Sequence, residues 1–206
     1  MQEYDEKTVF FNERAERWDE ISRHNMAKVE LMIRLLNIKP GDRVLDVGTG
    51  TGVLLSLLAG FTNPEDITAI DIAEKMIEEA KRKAGDTKIT FIHGDALTYP
   101  FNPETFDQVI CYSVFPHFED KRGAARRFGE LLKPGGLLGI LHSDCRDKIN
   151  HVHIHANHPG IHGIKGDNLP SADMVMNCMK DQGLQAEIMI DTSELYMICA
   201  RKRWQS

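Results

Sequence analysis

The chain is poor in cysteine. Cys111, Cys145, Cys178 and Cys199 are scattered over 206 residues, with no Cys-x-x-Cys pair. That excludes a zinc ribbon and a disulfide framework, and it fits free thiols in a reducing, cytoplasmic setting. Positive charge is not in excess either, since the formal net charge is −6. A protein that grips phosphate backbones needs the opposite balance, so no nucleic-acid partner is expected. The one basic cluster, Arg201-Lys202-Arg203, is too short to alter this. No apolar run is long enough to span a membrane, so no membrane partner is expected. The stretch Met1-Gln2-Glu3-Tyr4-Asp5-Glu6 is acidic, the wrong sign for a secretory signal. No repeat and no low-complexity segment interrupts the chain. What remains reads as a single domain over residues 1–206, with an ordinary hydrophobic share of 42%.

The richest stretch is Val44-Leu45-Asp46-Val47-Gly48-Thr49-Gly50-Thr51-Gly52. Its front half is a buried strand by composition, and its back half is a glycine turn. Val53-Leu54-Leu55-Ser56-Leu57-Leu58-Ala59 then starts a helix. Strand, glycine turn and helix is the setting of a nucleotide-binding loop. Gly48-x-Gly50-x-Gly52 is not the Gly-x-Gly-x-x-Gly of dinucleotide sites, and no Gly-Lys-Ser/Thr follows to meet a triphosphate. Asp46 faces the loop from the strand end. A carboxylate there suits a cationic or hydroxyl-bearing ligand and repels a pyrophosphate.

Elements then alternate. Ile67 to Ile70 is a strand ending at Asp71, and Ala73 to Lys83 a helix. Ile89 to Ile92 is a strand ending in His93-Gly94-Asp95-Ala96. Phe106 to Cys111 is a strand, and Gly123 to Leu132 a helix closed by Lys133-Pro134-Gly135-Gly136. Leu137 to His142 is the fifth strand. Such alternation predicts an α/β fold: a mostly parallel sheet with helices on both faces. Ligands of such sheets bind beyond the strands' carboxyl ends, where Asp46, Asp71 and Asp95 all fall. Upstream, an amphipathic segment around Phe11 to Trp18 and a helix from Met26 to Leu36 precede the first strand, within residues 1–40.

Asp46-x-Gly48-x-Gly50-x-Gly52, Asp71, Gly94-Asp95-Ala96, Phe106-Asp107 and Leu131-Leu132-Lys133-Pro134-Gly135-Gly136 together resemble the class I S-adenosylmethionine (SAM)-dependent methyltransferases, in their small-molecule, UbiE-like form. The resemblance covers roughly Phe10 to Leu141. It implies a Rossmann-like seven-stranded sheet whose last strand is antiparallel. Gln185 to Ile190 and Leu195 to Ala200 would be its final strands, after a helix from Ser171 to Gln182. It implies SAM as cofactor, with contacts at Asp46, Gly48, Thr49, Gly50, Gly52, Asp71, Ile72, Met76, Asp95, Ala96 and Cys111. Asp71 would accept from the ribose hydroxyls, Asp95 would take an adenine amino group, and Ile72 and Met76 would flank the ring. The segment around Phe11 to Trp18 resembles the lid of such enzymes. The family uses no metal for SAM itself.

The acceptor is read at the end of the fourth strand, Tyr112-Ser113-Val114-Phe115-Pro116-His117. Neither an Asn-Pro-Pro-Tyr-type motif nor a Pro-Cys context for Cys111 is present. Both absences disfavour base methylation and leave a small-molecule substrate. His117 and His142 are the candidate general bases.

Six of nine histidines crowd into residues 142–170: His142, His151, His153, His155, His158 and His162. Ser143-Asp144 reads as a helix start and Pro159-Gly160 as its stop. On that helix His142, Arg146, Asn150 and His153 share one side, while His151 and His155 fall opposite. Three uses stay open. The first set borders the acceptor pocket, with Arg146 holding an anionic or carbonyl group. Alternatively, His151, His155 and His158 or His162 bind a divalent metal, or, if the stretch is extended, His151, His153 and His155 share one face that permits one. Otherwise the stretch is a solvated surface loop. A SAM- or metal-binding module without turnover is the competing class, and an RNA or protein methyltransferase a third.

Overall fold

A computed structural model of the chain describes residues 6–155 and 167–204. Among these, seven strands form one sheet in the order β3-β2-β1-β4-β5-β7-β6. They are β1 (Val44–Val47), β2 (Ile67–Asp71), β3 (Thr90–His93), β4 (Phe106–Tyr112), β5 (Leu132–His142), β6 (Leu184–Asp191) and β7 (Tyr196–Lys202). β1 to β5 pair in parallel, and β7 runs antiparallel to both of its neighbours, β5 and β6. The seven-stranded expectation, with its last strand reversed, holds.

β1 and β4 are buried along almost their whole length because helices cover both faces of the sheet. The period of two sorts their side chains. Leu45, Val47, Val109 and Cys111 face α6 (Lys121–Leu131) and α8 (Ala172–Lys180). Val44, Ile110 and Tyr112 face α3 (Met26–Leu35) and α4 (Leu55–Leu58). The chain leaves β1 towards β2 on one side and reaches β4 on the other. A crevice therefore opens at their carboxyl ends.

Four expected elements differ in detail. The N-terminal amphipathic segment is broken into α1 (Glu6–Asn12), a 3-10 turn at Ala15–Arg17 and α2 (Trp18–Ile21). A 3-10 turn eclipses positions three apart, so Ala15 and Trp18 face Ala73 and Met76 together. The apolar stretch after the glycine loop yields only the four-residue α4, because residues 51–54 form turns. Lys133-Pro134-Gly135-Gly136 does not precede β5 but lies within it, at a register irregularity opposite Phe106 and Gln108. The histidine-rich helix α7 (Arg146–Ile154) starts later than Ser143-Asp144, and its N-cap residue is Cys145. The Ser143 hydroxyl cannot cap it, for it is buried against the Tyr112 hydroxyl at 3.0 Å. Pro159-Gly160, His158 and His162 lie outside the described residues. α5 (Glu74–Ala84) falls where the periodicity places it, and α8 where the resemblance does. Among the described residues no helix is long and apolar enough to cross a membrane.

Candidate active site

The glycine loop is held from beneath by β2. The amides of Gly48 and Thr49 both donate to the Ile70 carbonyl, at 2.9 and 3.1 Å. The loop needs glycine at position 48 on two counts. Its φ is +64°, and a Cβ there would come within 2.4 Å of a Val114 methyl. At Gly50 φ is +56°, and its amide donates to the Asp71 carboxylate at 2.8 Å. The other Asp71 oxygen accepts from the Ala73 amide at 2.9 Å. Burial raises the Asp71 pKa, opposed by these two amides and by the charges of His117 and His93. An ionised carboxylate offers about four lone-pair sites, so Asp71 keeps acceptor capacity for a ligand.

A cavity of about 500 Å³ opens above this loop. Gly48, Thr49, Gly50, Asp71, Ile72, Met76, Asp95 and Ala96 line it, among the residues read from sequence as cofactor contacts. Three others do not. Asp46 is 2% exposed and accepts from the Thr49 hydroxyl at 2.7 Å. It braces the loop from within, and burial, together with the Asp71 charge, pushes its pKa up to about 7 against the Thr49 bond. Gly52 packs on α4 and α5, where a Cβ would meet Leu55 and Ala80. Cys111 is fully buried in the core cluster on the α6 side of the sheet and does not line the cavity.

The N-terminal segment roofs the cavity with Phe11 and Trp18, whose rings meet edge-on at 5.4 Å. Polar ties fasten this roof. The Thr51 hydroxyl donates to Asp19 at 2.6 Å, and Lys83 pairs with the same carboxylate. The Lys75 amide donates to Asn12 at 3.0 Å. Tyr112 at the end of β4 bonds His24 at 2.8 Å as well as Ser143.

A second cavity, of about 470 Å³, adjoins the first through Phe11, Trp18, Ser22, Ser113 and His117. His117, on the 3-10 turn Phe115–His117, lines both. His142 and His153 line the second. The His117 and His153 rings stand edge-to-face at 5.2 Å. His117 Nδ1 lies 2.5 Å from Asp167, and Lys7 pairs with the other Asp167 oxygen at 3.2 Å. Burial pushes the Asp167 carboxyl up, but His117 and Lys7 outweigh it and hold it below the usual range. His142 is 3% exposed and its Nε2 has no hydrogen-bond partner among the described residues. Burial, reinforced by His117 and His153, lowers its pKa to about 3, so the ring is neutral near pH 7.

The expected substrate contacts divide. His153 reaches the second cavity, whereas Arg146 and Asn150 do not. Arg146 turns outward to Asp191 at 3.1 Å, the nearest carboxylate across α7 from β6. Asn150 spends both ends of its amide on the Leu169 backbone, at 3.0 and 2.7 Å. Helical phase put them on one side, but partners elsewhere in the fold claimed them. The His151 and His155 rings lie 4.3 Å apart, tilted by 47°, on the outer side of α7, as their spacing predicts.

Sequence reasoning missed Lys7, Asp167 and Ser113. Ser113 carries a left-handed φ of +55° directly after β4, between the cavities. A strained residue at a strand end often marks a functional site, but no residue type announces it. Asp167 is one of many aspartates until the fold brings it to His117.

The first cavity fits SAM. Buried Asp71 binds the loop amide of Gly50, and Ile72, Met76, Asp95, Ala96 and Leu97 line the same cavity. Residues 44–136 match a family model described as a methyltransferase domain. The Staphylococcus saprophyticus demethylmenaquinone methyltransferase is 32% identical over 114 residues, which are 53% of this chain and 48% of that enzyme. The Amycolatopsis mediterranei 27-O-demethylrifamycin SV methyltransferase is 32% identical over 110 residues, 52% of this chain and 40% of that one. The chain thus spans half or less of the length of these curated relatives. A chain of the complex between the Haloferax volcanii Trm112 methyltransferase activator and a methyltransferase superposes with a TM-score of 0.78. It covers 97% of this chain and 98% of that one at 19% identity, a likeness of fold. Fold, loop and matched segment define a nucleoside-binding α/β domain of the methyltransferase type. Residues 44–136 carry a methyltransferase domain, and the chain is similar to the class I SAM-dependent methyltransferases.

Proposed function

We propose that the protein transfers a methyl group from SAM to a small-molecule acceptor. The observation that carries this reading is the pair of joined cavities: one is floored by the glycine loop and Asp71, the other is lined by His117 and His142. SAM supplies a sulfonium methyl, which a nucleophile displaces in one SN2 step. The chain's own part is to bind, align and exclude water. Asp71 accepts the ribose hydroxyls while its backbone bonds keep it in place. Ile72 and Met76 sandwich the adenine. Phe11 and Trp18 close over the pair as a lid. The acceptor occupies the second cavity, with Ser113 and Val114 setting its distance from the loop. An imidazole of that cavity, His117 or His142, accepts the proton of a hydroxyl acceptor. The net charge of −6 gives no electrostatic hold on a nucleic acid, which supports a small acceptor.

Calorimetric titration with SAM tests the cofactor half, with wild type beside Asp71→Asn and Asp71→Ala. A hydrogen bond to a charged group contributes roughly 1.5–3 kcal/mol, so affinity should fall about 10- to 100-fold in the asparagine variant. Equal affinity would remove Asp71 from ribose binding. A folded wild type that binds neither SAM nor S-adenosylhomocysteine would overturn the whole reading.

A further inference from the structure

We propose that His117, His153 and Asp167 bind a divalent transition-metal ion at the acceptor end of the site. Each offers one donor atom, and the three atoms lie within 4.8 Å of one another. They come from three separate parts of the chain: the turn after β4, α7, and the segment leading into α8. His153 is buried and His117 and Asp167 are half-buried, so this is no chance meeting of solvated side chains. Two imidazoles and a carboxylate are the three-ligand set of open zinc and non-haem iron sites, which leave a position for water or substrate. Lys7 pairs with one Asp167 oxygen, and the other is hydrogen-bonded to His117 Nδ1, a contact that an ion bound between the two would replace.

A second observation points the same way. His142 is 3% exposed, lines the same cavity, and presents an Nε2 with no partner among the described residues. A buried polar nitrogen without a partner, in a residue that borders a cavity, calls for a group to meet it. Ion-bound water or an ion-bound acceptor supplies one. With the ion in place His117 serves as ligand, and His142 is the imidazole left to receive a proton. A cation that holds a hydroxyl or thiol acceptor lowers its pKa, so even a weak base suffices. This role for the ion rests on the methyl-transfer reading; its binding does not. The metal moves from the outer pair, His151 and His155, to the inner face of α7.

The test strips the full-length protein with a chelator and titrates it with zinc, and separately with cobalt, whose visible absorption reports the ligand geometry. Wild type should bind one equivalent. His153→Ala and the near-isosteric Asp167→Asn should weaken binding at least about 100-fold, the upper end of what loss of an outer-shell partner alone costs. The double variant His151→Ala/His155→Ala should bind as wild type does. Absence of binding by the folded wild type overturns the proposal. So does binding that survives in Asp167→Asn and His153→Ala, or that disappears with the outer pair. SAM titrated into the same samples separates the two readings: zinc bound without SAM keeps the ion site and removes the methyl transfer.

Discussion

Asp46 carries a pH signature. Its folded pKa of about 7 lies above the ordinary carboxylate value because burial outweighs the Thr49 bond. Between about pH 4 and pH 7 the folded chain therefore holds a proton that the unfolded chain has lost. Stability contributed at this position falls as pH rises through that window and is level on either side. The shift of about three pH units corresponds to a cost on the order of 4 kcal/mol at neutral pH. Asp46→Asn cannot ionise, so the stability gap between variant and wild type should widen in the variant's favour from pH 4 to pH 7. Denaturant unfolding at a series of pH values checks this. A constant gap would mean that Asp46 is ionised in the fold throughout. Its place at a strand end was legible in the sequence. Its partner, Thr49, was read as a ligand contact, and only the burial of both makes them a brace.

At the scale of elements, α7 is the piece whose role the fold redefined. Asn150 clasps the Leu169 backbone through two hydrogen bonds and so ties α7 to the segment that presents Asp167. Asn150→Ala leaves a partly buried carbonyl and amide without partners, at a cost of about 1–3 kcal/mol for the pair. For a chain of this size that corresponds to a fall in Tm of roughly 2–4 °C per kcal/mol. Thermal unfolding checks it. Arg146→Ala, which loses partly exposed pairs with Asp191 and Asp147, should lower Tm far less. Equal losses would mean that Asn150 is no clasp. Helical phase foretold which residues share a side of α7. It could not tell which of them meets a cavity, because that depends on what packs against the helix.

For the whole molecule, the sheet sets a gradient of stability. β1, β4 and β5 lie inside it, with β1 and β4 buried on both faces, while β6 is an edge strand with exposed alternate residues. The N-terminal segment is joined to the rest by a few polar ties and the small cluster of Phe11, Ala15, Trp18, Ala73 and Met76. Hydrogen exchange should therefore be slowest in β1, β4 and β5 and fast in α1 and α2. Addition of SAM should slow exchange from α1 to α2 and in the glycine loop, and leave β6 unchanged. If SAM binds and the N-terminal segment gains no protection, its role as a lid is lost.

The sequence by itself determined the α/β architecture, the glycine loop and the carboxylates at the strand ends. These rest on local rules: two-residue and 3.6-residue periods, backbone freedom at glycine, and the position of a residue just past its strand. The reversal of the last strand followed from the family resemblance, and the register of Lys133 to Gly136 within β5 did not. Tertiary structure alone decided which carboxylate braces and which faces a ligand. It sent Cys111 to the core and turned Arg146 outward. It also brought Lys7, His117, His153 and Asp167 together from 160 residues of chain. Contacts of that span depend on how the elements pack, and packing distance leaves no periodic trace in the order of residues.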